Sequence, residues 1–409
     1  MSFLSILHAL PIAVDPLFVG GVGLEEVLIV ILKVVVAFVM LMVSVMLMIW
    51  FERKLHADMT NRMGPTIAGP FGLLQTLADG IKLFFKEDLI PEERGDPLVF
   101  RLAPYLTLIP AFLIFTVVPI GGDFVNGDGT VTWFGNTTHL QIADPPIGIL
   151  FVLAMSSLAV YGIMLAGWSS GSKYPLFGSV RASAQMVSYE AALGLSLVAV
   201  LIKSGTLSTH EIVVGQADGW SWNLWVTGFI PFIVFLIATT AELNRPPFDL
   251  VEAEQEIVGG FHTEYSSIRF ALFFLGEYMN VVTMSAIMVT LFFGGPDGPI
   301  LFLDSLGWAW GIFWFLIKVI SFCFTFVWFR ATLPRFRYDQ LMDLGWKLLI
   351  PLSLGWIVAL AALEVGRDED WNRFLVAAIC FVGLMVMGFL LNSAVAAGKR
   401  KRLAGEGFD

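Results

Sequence analysis

The sequence predicts an all-α polytopic membrane protein with about nine transmembrane helices and one amphipathic interfacial helix. Three observations carry this. Of 409 residues, 57% are hydrophobic and only 14% charged, against about 25% charged in a soluble domain. The mean hydropathy is +0.80. The apolar residues also fall into separate runs of roughly 20, the length that crosses a ~30 Å hydrocarbon core at 1.5 Å per residue. Backbone groups there must bond internally, so spans are helices or a closed barrel. These runs lack the alternation of barrel strands.

The predicted spans cover residues 27–50, 102–120, 147–168, 185–202, 224–241, 270–293, 308–329, 348–363 and 374–395. Between the first two, residues 70–86 place Leu73, Leu74, Leu77, Ile81, Phe84 and Phe85 on one helical face, interrupted by Asp79, Lys82 and Lys86. That segment is too polar to cross and reads as a helix lying in the interface.

Lys and Arg set the orientation. With the loop after span 1 on the cytoplasmic side, most of the 24 cations fall there. The opposite side holds Lys203, Arg367 and Arg373, while Lys33 and Lys318 lie within spans. The positive-inside rule then places the N-terminus outside and the C-terminus in the cytoplasm. An odd number of spans returns the basic cluster Lys399, Arg400, Lys401 and Arg402 to that side.

Several classes are excluded. A net charge of −10 with no basic stripe argues against nucleic acid. Cys323 and Cys380 sit in apolar runs as small fillers, without the pattern of a disulfide framework or an iron–sulfur site. The apolar segment 1–14 lacks a basic flank, so it is not expected to be a cleaved signal peptide. His56 and His262 are loop residues, and no Ser/His/Asp set is discernible.

Residues 241–277 concentrate acid: Glu242, Asp249, Glu252, Glu254, Glu256, Glu264 and Glu277 face only Arg245 and Arg269. Pro246 and Pro247 stop the fifth span, and Gly259 and Gly260 permit a second sharp turn. A solvated acidic loop is one reading. Proton handling is the other. The acids are interleaved with Val251, Ile257, Val258 and Phe261, Glu242 and Glu277 adjoin spans, and Glu190 is expected in the first turn of span 4. Intramembrane carboxylates are costly and functional by default, and clustered ones cannot all ionise together.

A cationic set also lies near the span ends: Arg53, Arg62, Arg181, Arg330, Arg335 and Arg337. Such arginines commonly anchor helices. Gly-Pro and Leu-Pro steps nevertheless shape these loops, which suits either docking of an acidic soluble partner or binding of a polar headgroup at a cavity mouth.

At these loops the sequence resembles the quinone-site membrane subunit (the H subunit) of proton-translocating NADH:quinone oxidoreductase, respiratory complex I. The resemblance rests on ERK with RMGPTIAGPFGLLQTLADGIKLFFKED in 52–88, KYPLFGSVRASAQMVSYE in 173–190, AELNRPPFDLVEAEQEIVGGFHTEYSS in 241–267 and RATLPRFRYDQLMDLGWK in 330–347. It implies an eight-span core over residues 25–365, after an N-terminal segment 1–24. Residues 366–409 then form an additional span and basic tail, for which the family lends no function.

The resemblance further implies a quinone chamber shared with soluble subunits, with Arg53 and Arg62 near its entrance and Asp79 and Arg181 along it. Glu190, Glu242, Asp249, Glu252, Glu254, Glu256, Glu264 and Glu277 match positions that link quinone reduction to the proton path, and Tyr278 adjoins them. No cofactor is expected on this chain alone, FMN and iron–sulfur clusters belonging to partner subunits. The implied partners are other membrane-arm and soluble quinone-module subunits, quinone and the lipid bilayer of the cell membrane. Thr60 and Thr66 depart from the family's usual Gln and Asn. A membrane-bound hydrogenase-type complex remains an alternative with the same fold. A secondary ion transporter is a weaker one, since no inverted repeat is visible.

Overall fold

The computed structural model describes the chain apart from residues 1–14, 19–20, 22, 92–94, 125–126, 134, 218–220, 251–256, 300–306 and 406–409. Side chains at 373, 392, 395 and 398–405 are likewise outside the description. The helices are α1 (Leu24–Met59), α2 (Gln75–Phe84), α3 (Pro97–Phe115), α4 (Gly148–Ser169), α5 (Lys173–Ser204), α6 (Thr209–Val214), α7 (Asn223–Val226) and α8 (Phe229–Glu242). They continue with α9 (Ser267–Phe292), α10 (Gly307–Thr332), α11 (Tyr338–Leu344), α12 (Ile350–Asp368) and α13 (Arg373–Gly405). A π-helical turn, Gly345–Leu349, joins α11 to α12.

Among the described residues, eight helical segments are long and apolar enough to cross a membrane. The fifth predicted span corresponds to α8, apolar but only 14 residues long. Gly228, at φ 81°, separates it from the single turn of α7. The expected nine apolar segments are therefore eight long helices and one short one, in a multi-pass membrane protein.

α9 is the most buried of the long spans, packing against α3, α10 and α1. α5 packs against α4 on one side and α8 on the other. Tyr189 on α5 is fully buried and donates to the Leu341 carbonyl at 2.8 Å, tying α11 to the bundle. The core at this end is aromatic, with Phe100 stacked on Tyr265 at 4.0 Å.

α5 begins at Lys173, twelve residues before the predicted span. Lys173 and Arg181 are thus helical, and Glu190 lies in mid-helix instead of in a first turn. Its 32 residues exceed the hydrocarbon thickness, so hydropathy saw only the apolar part. The interfacial segment folds as a 3₁₀ turn, Pro70–Gly72, followed by α2. Leu74, Leu77, Ile81 and Phe84 are exposed along it.

At the opposite end of the bundle, an antiparallel hairpin pairs β1 (Thr130–Trp133) with β2 (Asn136–His139). Lys33 is buried there. It donates to Asp15 at 2.7 Å and to the Thr138 hydroxyl, tying the N-terminal turn and β2 to α1. Burial pushes the Asp15 carboxyl up, but the Lys33 hydrogen bond and charge outweigh it and hold it below the usual range. Lys318 is satisfied internally too, donating to the carbonyls of Phe293, Gly295 and Asp297 at 2.6–3.0 Å.

Candidate functional site

The site is built where α1, α8, α9 and α10 end on the same side. Glu52 and Arg53 are adjacent on α1, so their side chains diverge by about 100°. Glu52 turns inward and is 4% exposed. Two arginines distant in sequence meet it. Arg245, from the loop after α8, donates from Nη1 to both carboxylate oxygens at 3.0 and 3.2 Å, and Arg330 of α10 donates to Oε1.

Arg245 also approaches α9. Its Nη2 lies 3.2 Å from Glu277 Oε1, near enough for charge pairing without hydrogen-bond alignment. Its guanidinium carbon sits 4.3 Å from the centroid of the Tyr278 ring. One buried cation thus connects two carboxylates and an aromatic ring. Removing one partner of such a pair typically costs 3–5 kcal/mol, because the other charge stays buried.

The loop carrying Arg245 is held by its own backbone and by α5. Pro246 and Pro247 cannot continue α8, and Asn244 takes a left-handed φ of 51°. Gln185, fully buried on α5, donates from its amide nitrogen to the carbonyls of Ala241 and Phe248 at 2.7 and 2.9 Å. Nearby, the 3₁₀ turn Gly260–His262 presses on α5. A Cβ on Gly178 would lie 2.8 Å from the Gly260 backbone, so the two meet main chain to main chain.

A second pair of carboxylates lies beside this network. Glu242, the last residue of α8, accepts from the Ser156 hydroxyl through Oε1. Its Oε2 is buried without a partner among the described residues. Glu190 of α5 contacts the hydroxyl of the next serine, Ser157. A cavity of about 40 Å³ is lined by the polar side chains of Glu242, Glu277, Asn244, Asn280 and Thr107 and by apolar Ala159, Ile163, Met186, Leu243, Phe261 and Phe273. Such a space is large enough for one water, with carboxylate, amide and hydroxyl groups in its wall to bond it.

The remaining predicted residues divide. Arg53 pairs with Asp79 of α2 at 2.5 Å, and Asp79 also accepts from Gln75 at 3.2 Å. Asp249 pairs with Arg335 at 2.9 Å. Arg181 is half-buried on α5. Arg62 and Glu264 are exposed, and neither forms an ion pair with a described residue. Glu252, Glu254 and Glu256 lie outside the described residues. His262, beside Glu264, is half-buried, and the loss of solvent around its ring pushes its pKa down to about 4. It stays neutral at neutral pH.

The predicted set therefore separates into an outer rim and an inner string. Glu242, Glu277, Tyr278 and Glu190 belong to the string. Sequence reasoning missed Glu52 and Arg245, the network's centre, and both serines. One signal was available: Arg245 and Arg330 adjoin apolar spans and need anions, and Glu52 is the first acid after Glu26.

The chain as a whole is similar to known proteins. A family model described as NADH dehydrogenase matches residues 32–361. Over 393 residues, 95% of this chain, the sequence is 48% identical to the NADH-quinone oxidoreductase H subunit of Frankia alni, covering 84% of that protein. It is 46% identical over 372 residues to the H subunit of Streptomyces avermitilis, 90% of this chain and 80% of the relative.

Proposed function

The chain belongs to the family of NADH-quinone oxidoreductase H subunits, and from that premise we propose that it binds quinone and couples quinone reduction to proton translocation in the complex's membrane arm. It is one component of a larger enzyme. FMN and iron–sulfur clusters in soluble partners supply the electrons, and other membrane-arm subunits carry protons onward. The relatives' names favour this reading over a hydrogenase-type complex. The chain is placed in the cell membrane with its N-terminus outside and its C-terminus in the cytoplasm. Residues 25–365 are the functional core, and residues 366–409 form a peripheral span and tail.

Arg53, Arg62, Asp79 and Arg181 form the rim and wall of the chamber. Reduction of a quinone consumes two electrons and two protons. Drawing those protons from the chamber changes the charge beside α1, where Arg53 faces α2 and Glu52 faces inward. Glu52, Arg245, Glu277 and Tyr278 transmit that change to Glu242 and Glu190. Asp249 and Glu264, with Glu252, Glu254 and Glu256, form the chamber-side end of the path.

The observation that carries this reading is the cavity lined by both Glu242 and Glu277, beside a buried arginine that pairs with Glu277 and with Glu52. The test uses the assembled complex in sealed membrane vesicles, with quinone reduction and proton uptake measured together. Glu242→Gln and Glu277→Gln are each expected to lower proton translocation at least tenfold. Normal rates of both processes in both variants would refute the coupling role.

A further inference from the structure

The two serines are consecutive on α4, yet each meets a carboxylate from a different helix: Ser156 meets Glu242 of α8 and Ser157 meets Glu190 of α5. A hydroxyl has one proton to donate and two lone pairs that accept. The surroundings of the two hydroxyls differ. Ser157 Oγ also reaches the Leu153 carbonyl, one helical turn back, at 3.1 Å. Ser156 Oγ has Glu242 as its one hydrogen-bond partner among the described residues. Glu190 lies close enough for its charge to act on Glu242.

We infer that Ser156 and Ser157 are positioning residues for proton transfer, Ser156 confining the exchangeable proton of Glu242 to Oε2 and Ser157 pairing with Glu190 in either charge state. This rests on the coupling role proposed above. Ser156 has no second acceptor for its proton among the described residues, so it donates to Glu242 Oε1 throughout. A proton on Glu242 then sits on Oε2, the oxygen left without a protein partner on a residue that lines the cavity. In the transfer the O–H bond at Oε2 breaks and the proton passes to water or to the Glu277 carboxylate. Glu242 is left ionised with Oε1 still bonded.

Ser157 works differently. It donates to ionised Glu190. When Glu190 is protonated, the carboxyl donates to Ser157, whose own proton turns to the Leu153 carbonyl. Neither state leaves either group without a hydrogen-bond partner. The two carboxylates consequently exchange protons by different geometries, Glu242 toward the cavity and Glu190 along α4.

The experiment uses the assembled complex in membrane vesicles. Ser157→Ala is expected to lower proton-coupled turnover about tenfold, the scale of one lost hydrogen bond, with the quinone KM within about twofold of wild type. Ser157→Thr, which keeps the hydroxyl, should restore turnover to within about twofold. Ser157→Cys, similar in size and a weak donor, replaces the alanine variant if assembly fails. Ser156→Ala should shift a carboxylic C=O infrared band that is missing from the Glu242→Gln complex. Wild-type turnover in Ser157→Ala, equal loss in the assembled Ala and Thr variants, or an unmoved infrared band would overturn the inference. Failure of the underlying reading is distinguishable, because Glu190→Gln and Glu242→Gln would then also pump normally.

Discussion

Arg245 donates to both oxygens of Glu52 across 193 positions of sequence, at 3.0 and 3.2 Å. This contact fastens the broken end of α8 to the first span, and several consequences can be measured.

Arg245→Ala should destabilise the assembled complex by about 3–5 kcal/mol, because Glu52 and Glu277 each lose a buried charge partner. Pairing it with Glu52→Gln should recover part of the loss. Thermal inactivation midpoints of the three complexes give the comparison. Equal midpoints for wild type and the single variant would remove Arg245 from the network.

The Arg53–Asp79 pair is partly exposed, so it contributes at most about 1 kcal/mol to stability. Its proposed role is at the chamber rim. Arg53→Ala should therefore raise the quinone KM several-fold while moving the inactivation midpoint by no more than a degree or two. A large stability loss with unchanged KM would assign the pair to packing.

Glu264 is exposed and outside the inner string, whereas Glu277 contacts Arg245. Glu277→Gln should reduce proton translocation at least about fivefold more than Glu264→Gln in parallel vesicle assays. The reverse order would place the active path along the exposed turn.

Burial holds His262 neutral, with a pKa near 4 against an ordinary 6.5. The unfolded chain binds this proton first. Stability is thus complete above about pH 6.5 and declines as pH falls toward 4, by about 2 kcal/mol at pH 5. The turn at 260–262 should become protease-sensitive over that window, and His262→Phe should flatten the dependence.

α13 packs along α12, where Gly355 receives Met387, and leaves Phe381, Val382, Met385 and Phe389 exposed. Ending the chain after Arg367 should change quinone reductase turnover less than about twofold in complexes that assemble. A loss of turnover with assembly preserved would give this span a direct role.

The spans were legible because hydropathy is a local property, averaged over consecutive residues. Glu242 and Glu277 were legible for the same reason, as acids set against apolar runs. Glu52 was not, since its significance lies in Arg245 and Arg330, 193 and 278 positions away. Charges that cancel across helices look unremarkable in a one-dimensional reading. Ser156 and Ser157 were invisible because a hydroxyl in an apolar span is ordinary until a carboxylate faces it. Glu190 was recognised but misplaced, because α5 continues through a polar stretch that hydropathy excludes.

The shortness of α8 has an electrical consequence. Fourteen residues extend about 21 Å, so a helix starting at the outer boundary of a ~30 Å core ends about 9 Å short of the inner one. With the proposed orientation and such a start, Glu242 would stand nearly a third of the way across the membrane from the cytoplasm. A proton arriving there has already traversed that share of the voltage, about 0.7 kcal/mol per 100 mV. Occupancy of this carboxyl is thereby coupled to the membrane potential as well as to chemistry at the quinone, and a strongly energised membrane acts directly on the first step of its own charging.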